Sequence, residues 1–387
     1  MITLPSFFAF KEIWRNRGRF LLFSLVIALI TVLVLFIAAL GEGLGNGNRE
    51  YLDKLDAQLV AYQERSELTI PISRIDRGQA AAIRRVPGVQ DAGAIGTSSV
   101  ALMIPEKDKP LRISLLGVEP GRPGEPRVVE GRQLSTDQAR EAVIDRGTAL
   151  RSGYKVGDTI TIRSTQGTQD EFYDLRVVGL TDGQQYSLQP SIFTPFFTWD
   201  RVRPKSEAEV RRTEAIANVI AIKLSNPRDV ENVKERLKAQ VQKIDLATIQ
   251  EAIENTPGYG PQQSTVNTQA VFTLLIGVLV IGGFFQIQVL QKVPQIGVLK
   301  AIGASNFTVG MASVLQIIAV TTMGVLLGGF GTFLLSLTFP PTVPIVFNGQ
   351  RTLMAVGVLM LIGPIGGLVS VRYAIRIEPL RALGLSS

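Results

Sequence analysis

The sequence predicts a membrane protein: four transmembrane α-helices, with a mixed α/β extracytoplasmic domain inserted between helices 1 and 2. Three observations carry this. Four runs, 20–40, 268–290, 307–339 and 352–371, hold no charged residue and are long enough to cross the ~30 Å hydrocarbon core. Between the first two, Gly41–Thr265 holds 30 Lys+Arg against 31 Asp+Glu, whereas the whole chain is +7. The excess positive charge therefore flanks the apolar runs, which is a topology signal and not a nucleic-acid patch. Lastly, the 41–265 stretch alternates turn-bounded strand patterns with helical ones.

The N-terminal piece, 1–19, places Phe7, Phe10 and Trp14 at helical spacing after Pro5, with Lys11, Arg15, Arg17 and Arg19 around them. This reads as an amphipathic helix lying in the membrane interface. A cleaved signal peptide is the alternative. The 21-residue run 20–40 exceeds a typical signal core and more spans follow, so an uncleaved first helix is the simpler account. Glu42, just past that run, precedes a stretch GLGNGN that reads as flexible. As a carboxylate at the outer surface, Glu42 is the one substrate candidate; interfacial decoration is the plainer reading.

Strand patterns fall at Gln58–Gln63, Leu68–Ile72, Ile113–Gly117, Asp158–Ser164, Phe172–Leu180 and Asn218–Leu224. In Asp158–Ser164, Ile160 and Ile162 share one face. Helices are expected at Arg74–Val86, stopped by Pro87-Gly88, and at Arg228–Lys243, with Asn226 as cap and Pro227 in the first turn. A second lobe is expected around Val128–Leu180. Thr256–Gln263, rich in Gly and Pro, reads as a flexible return to the membrane. Gly324 and Gly328, and Gly363 and Gly367, form G-x-x-x-G spacings that permit close helix contact, within the chain or at a subunit seam. Pro340, Pro341 and Pro344 form a tight loop in the short outer segment 340–351.

Charge orients the chain. The segments 1–19, 291–306 and 372–387 hold nine Lys+Arg, and 340–351 holds only Arg351. By the positive-inside rule both termini are cytoplasmic and 41–265 is outside. The chain has no His and no Cys. A disulfide framework, the usual zinc and haem-iron ligands, and a His-based triad are excluded. No G-x-x-x-x-G-K-[ST] occurs, so the chain carries no P-loop. Asp145, Asp158 and Glu171 read as solvated or capping side chains. Neither a cofactor nor a metal site is called for.

The segment between the second and third runs reads QKVPQIGVLKAIGASN, Gln291–Asn306. As a helix it places Ile296, Leu299 and Gly303 on one face, a form that docks into a groove on a partner; an ordinary connector is the alternative. The run VLKAIGAS resembles the coupling element of FtsX/MacB-type (type VII) ABC transporter permeases, and the wording of 291–307 is closest to haem-exporter and DevC-like permeases. VVEGRQL…AVIDRGTALRSGYKVGDTITI resembles the MacB periplasmic core domain, and EPLRALG in 372–387 the cytoplasmic tail of the family. The departure is Pro294-Gln295, where the MacB branch usually has an Arg-Glu pair.

The resemblance implies a bacterial cytoplasmic-membrane, multi-pass permease of an ABC exporter. It implies a homodimer with two copies of a separate ATPase, and leaves room for a periplasmic adaptor; ATP hydrolysis belongs to the partner chain. It assigns ATPase contact to Pro294, Gln295, Ile296, Gly297, Leu299, Lys300 and Gly303, with Ile296 and Leu299 as anchors and Lys300 at the rim. The substrate would be hydrophobic or amphipathic, with haem a candidate only through the nearest-looking relatives. Two other classes remain open: an FtsX-like signalling permease that moves no substrate, and a membrane-anchored adhesin or chaperone without an ATPase.

Overall fold

A computed structural model describes residues 4–376 apart from 106, 108, 211–214, 340–342 and 344. The expected loop at Pro340, Pro341 and Pro344 and the tail beyond Arg376 lie outside these residues. Two compact units result: residues 1–43 with 263–387, and residues 44–262.

The first unit is helical: α1 (Leu4–Arg15), α2 (Arg17–Asp53) up to residue 43, α3 (Tyr259–Ala301) from residue 263, α4 (Asn306–Ser336) and α5 (Gly349–Ile375). The last four are long and apolar enough to cross a membrane. Each is apolar on all sides over its span, as expected where lipid and core are equally apolar. Phe20, Ile27, Leu35, Ile281, Phe285, Ile317 and Ile362 form the buried centre. Asn348 caps α5, its side chain accepting from the Gln350 amide.

Two expected linkers are helical instead. GLGNGN lies inside α2. A Cβ on Gly47 would lie 2.6 Å from Leu188 Cδ2, so the glycine serves close packing, not freedom. The Leu188 amide donates to the Gly47 carbonyl at 2.9 Å, and the Tyr51 amide to the Gln185 carbonyl at 3.2 Å. Likewise α3 begins at Tyr259. The return is a sharp turn at Gly258, φ +84°, a conformation glycine adopts without steric cost.

The second unit is built on one ten-stranded sheet. Its strands are β1 (Leu59–Gln63), β2 (Val89–Met103), β3 (Leu111–Val118), β4 (Val128–Gly131), β5 (Glu141–Asp145), β6 (Thr159–Gln166), β7 (Gln169–Thr181), β8 (Ser191–Pro195), β9 (Val219–Leu224) and β10 (Ile244–Thr248). The order is β10-β1-β9-β2-β3-β8-β5-β7-β4, with β6 paired to β2 and β7. The β3/β8 and β5/β7 pairs are parallel, the rest antiparallel. The expected second lobe is therefore a continuation of the same sheet, joined by the β3/β8 pairing.

Period-2 alternation sends side chains to two cores. Leu59, Ala61, Ile113, Leu115, Ile160 and Ile162 face one, with Trp199 and Leu237. Val60, Tyr62, Leu116, Val118 and Phe193 face the other, with Tyr51 and Ile253. Trp199 lies flat over Gly96 and Gly117, where a Cβ on either would overlap the indole.

Three local expectations shift. Leu68–Ile72 is a pair of turns, closed by Thr69 N–H to Ser66 O and Ile72 N–H to Thr69 O. Arg74–Val86 contracts to a helix at Gln79–Arg84, because Ile75–Asp76 pairs with Ile216–Ala217. Arg228–Lys243 contracts to Val230–Gln240; the Asn226 carboxamide accepts from the Arg228 amide at 3.1 Å and forms a turn before the helix.

Asp145 caps the helix Arg146–Ser152 through the Thr148 amide, but it is 1 % exposed, not solvated. Burial, reinforced by nearby Glu50, pushes its carboxyl up to about 6 from the ordinary 3.8, against the lowering effect of hydrogen bonds from Thr148 and Ser191. The folded chain then holds this proton more tightly than the unfolded chain. The stabilisation from protonated Asp145 is complete below about pH 4 and lost as pH rises through about 6. For a shift of this size it is about 3 kcal/mol. Asp145→Asn, which keeps an acceptor for Thr148, should flatten the fall in thermal stability of the full chain between pH 4 and 7. An unchanged slope would remove Asp145 as its source.

Candidate partner-docking site

The segment 291–306 is the end of α3 and a tight turn into α4, not a separate helix. The backbone runs helically through Pro294 to Ala301. Gly303 then takes φ +100°. Its amide donates to the Lys300 carbonyl and the Ala304 amide to the Leu299 carbonyl, both at 3.0 Å. This bond pair is a Schellman motif, which requires a left-handed residue at the position of Gly303. Ser305 at once caps α4, accepting from the Thr308 amide at 3.1 Å. The wording AIGAS is thus a complete helix stop followed by a helix start.

The named residues do not all face outward. Ile296 is 7 % exposed and packs with Val289, Val309 and Ala374. Gly297 is buried too. The helix phase directs Ile296, expected as an anchor for the partner, into the bundle, where it anchors the turn to its own chain. Leu299 is half-buried. Lys300 donates to the Ile375 carbonyl at 2.7 Å, so it caps the C-terminus of α5 and is no simple rim charge. Pro294 and Gln295 are exposed. The outward apolar side chains are Val298 at 47 %, Ile302 at 78 % and Phe307 at 70 %; sequence spacing did not single these out.

Behind the turn lies a polar cluster that sequence reasoning also missed. Lys292 pairs with Glu12 of α1 at 2.5 Å. Gln316 of α4 donates to the same carboxylate at 2.6 Å and accepts from Lys292 at 3.3 Å. Arg19 reaches the Gln291 side chain at 3.0 Å. Gln288, 3 % exposed, turns into a cavity of about 90 Å³ that Glu12, Lys292 and Leu299 also line. Polar side chains at this depth in an apolar bundle are costly unless joined. No signal in the local sequence links Glu12 to a lysine 280 positions on.

The other candidates are engaged within the chain. Glu42 is 3 % exposed, paired with Arg351 at 2.5 Å and hydrogen-bonded by Asn348 at 3.3 Å. A Cβ on Gly324 would lie 2.5 Å from Ile27, and one on Gly328 2.6 Å from the Ala28 carbonyl, both in α2. Gly363 meets Thr321 and Gly367 meets Ile317, joining α5 to α4. A further seam was not foreseen: a Cβ on Gly282 would lie 2.7 Å from the Gly366 carbonyl.

Two family models cover nearly the whole chain. The MacB-like periplasmic core domain matches residues 20–240, and the FtsX-like permease C-terminal domain matches residues 267–379. A Staphylococcus haemolyticus protein named "Putative hemin transport system permease protein HrtB" is 25 % identical over 376 residues, covering 97 % of this chain and 98 % of that one. An uncharacterized ABC transporter permease of Mycobacterium tuberculosis is 24 % identical over 395 residues, covering 98 % and 99 %. Among solved structures, the periplasmic region of MacB from Actinobacillus actinomycetemcomitans is similar, with a TM-score of 0.37 at 16 % identity, covering 54 % of this chain and 98 % of that one.

The Gly282–Gly366 seam gives a paired test. Gly282→Val forces α3 from α5 and should destabilise the helical unit by about 1–3 kcal/mol. Gly283→Val, where nothing lies within 4 Å, should leave thermal stability in detergent nearly unchanged. Equal melting shifts would show that the close contact does not matter.

Proposed function

Because the chain belongs to the FtsX/MacB-type ABC transporter permeases, a family of non-catalytic transmembrane subunits, we propose that it is the permease of an exporter whose ATPase docks on the α3–α4 turn. The single observation that carries this is the turn itself: a rigid Schellman stop and Ser cap that holds Val298 and Ile302 outward. A connector with no partner has no need of exposed apolar side chains on a fixed backbone. Basic residues flank this end of the helical unit, which supports a cytoplasmic location for it and for both termini. Docking then uses Val298 and Ile302, with Pro294 and Gln295 beside them. Ile296, Gly297, Lys300 and Gly303 hold the turn in shape, and Leu299 bridges the two sets.

ATP-driven movement at the turn passes along α3, whose helix is unbroken to Tyr259. A helix in lipid cannot unwind without leaving backbone groups unpaired, so the length of α3 before Pro294 moves as a rod. The proposed substrate is hydrophobic or amphipathic. Haem is suggested only by the hemin-transport name of distant relatives. Two copies of the chain with two ATPases are the proposed assembly.

The test is capture of the ATPase by membranes carrying Ile302→Asp. Burial of an Ile contributes about 1.5–3 kcal/mol, so binding should weaken by roughly one to two orders of magnitude, with normal membrane insertion. Ile296→Ala should instead lower the thermal stability of the permease. Wild-type ATPase binding and transport by Ile302→Asp would make the turn a connector only.

A further inference from the structure

Helix α1 has two unlike sides. Phe7, Phe10 and Trp14 are 51 %, 67 % and 69 % exposed. Lys11, Arg15, Arg17 and Arg19, on α1 and at its join to α2, are exposed as well. The one acid of α1, Glu12, is withdrawn from this surface and tied to Lys292 and Gln316. The outward side is therefore apolar and cationic with no carboxylate to offset it. Its chemistry complements an anionic phospholipid surface: rings enter the headgroup boundary and guanidinium forks meet phosphate. Placement agrees, since α2, long enough to span a bilayer, starts at Arg17.

The inward side makes this more than an anchor. Lys292 lies ten residues before Ile302, the residue that directly follows the end of α3 at Ala301, about 15 Å along the helix axis. Pro294 lies between them. It has no amide hydrogen, so the Leu290 carbonyl loses its helical partner and the helix has a compliant point there. A displacement of α1 reaches the turn through the Glu12–Lys292 pair. We propose that α1 binds anionic phospholipid and that the Glu12–Lys292 pair transmits this binding to the α3–α4 turn, so that lipid charge regulates partner docking. The second half rests on the docking reading above; the first does not. By linkage, any factor by which anionic lipid tightens docking is the factor by which docking tightens lipid binding.

The test uses Trp14 as reporter. The full chain is placed in liposomes with brominated phosphatidylcholine or brominated phosphatidylglycerol. Trp199, 2 % exposed in the core of the α/β unit, gives constant background, and Trp14→Phe defines it. Each Lys or Arg near the surface should contribute roughly fivefold to selectivity at low salt. Brominated phosphatidylglycerol should therefore quench Trp14 at a much lower mole fraction, and Arg15→Gln with Arg17→Gln should largely erase the difference. Equal quenching by both lipids overturns the lipid site. ATPase affinity is then compared in nanodiscs with and without phosphatidylglycerol. It should be higher with the anionic lipid in the parent and equal in Glu12→Gln, while Trp14 selectivity persists. No lipid effect in the parent, or an undiminished one in Glu12→Gln, overturns the transmission. Absence of ATPase binding in every lipid would instead refute the docking reading, and the Trp14 result would stand by itself.

Discussion

Hydrocarbon offers no hydrogen-bond partner to a peptide group, and the helical unit is shaped by that constraint. Its backbone has to close on itself through the span, so irregular conformation is driven to the ends. The α3–α4 turn satisfies the same rule at a terminus. The Gly303 and Ala304 amides take up the Lys300 and Leu299 carbonyls, Ser305 takes up an amide of α4, and Lys300 covers a carbonyl of α5. Little orphaned backbone is left, so the turn is rigid. Rigidity lowers the backbone ordering cost that would oppose the proposed docking at its outward side chains.

The described residues of the helical unit contain two acids, Glu12 and Glu42, and each meets a cation. An isolated carboxylate at a low-dielectric surface would bear a desolvation cost of several kcal/mol. Pairing offsets part of that cost and fixes geometry at two helix junctions: α1 with α3, and α2 with α5. The same pairing removes negative charge from the surface. The basic residues that remain outward around α1 therefore act without compensation, which the net charge of the sequence does not reveal.

The architecture was legible because its signals are local. Charge-free runs, strand alternation as in Ile160 and Ile162, and the glycine that stops α3 each depend on a few neighbours in sequence. The family-like wording of 298–305 was legible for the same reason, being turn chemistry written in residues. What failed was direction and distance. A 3.6-residue period says which residues share a face, not which face meets a partner; Ile296 shares the face expected of it, and that face turns into the bundle. Glu12 with Lys292 and Glu42 with Arg351 are joined by folding across most of the chain, and no window contains both members. Shallow turn signals misled as well. Leu68–Ile72 alternates like a strand, but Glu67 and Leu68 take φ of 53° and 54°, which no strand admits.

Glycine was the residue most easily misread, and the reason is physical. Reading GLGNGN as flexible assumes that a missing side chain leaves empty space. At Gly47 the space is filled by Leu188. Both polar groups of one helical rung, the Tyr51 amide and the Gly47 carbonyl, also bond to the 185–188 loop. Here the absent Cβ lets another backbone approach, and the helix gains partners where a flexible chain would lose them. Gly282 uses the same absence to admit the Gly366 carbonyl, while Gly303 uses it to reach a left-handed conformation. Composition cannot separate these uses. The neighbour that occupies the space decides whether a glycine-rich segment bends, stops or locks, and in α2 the neighbour makes it lock.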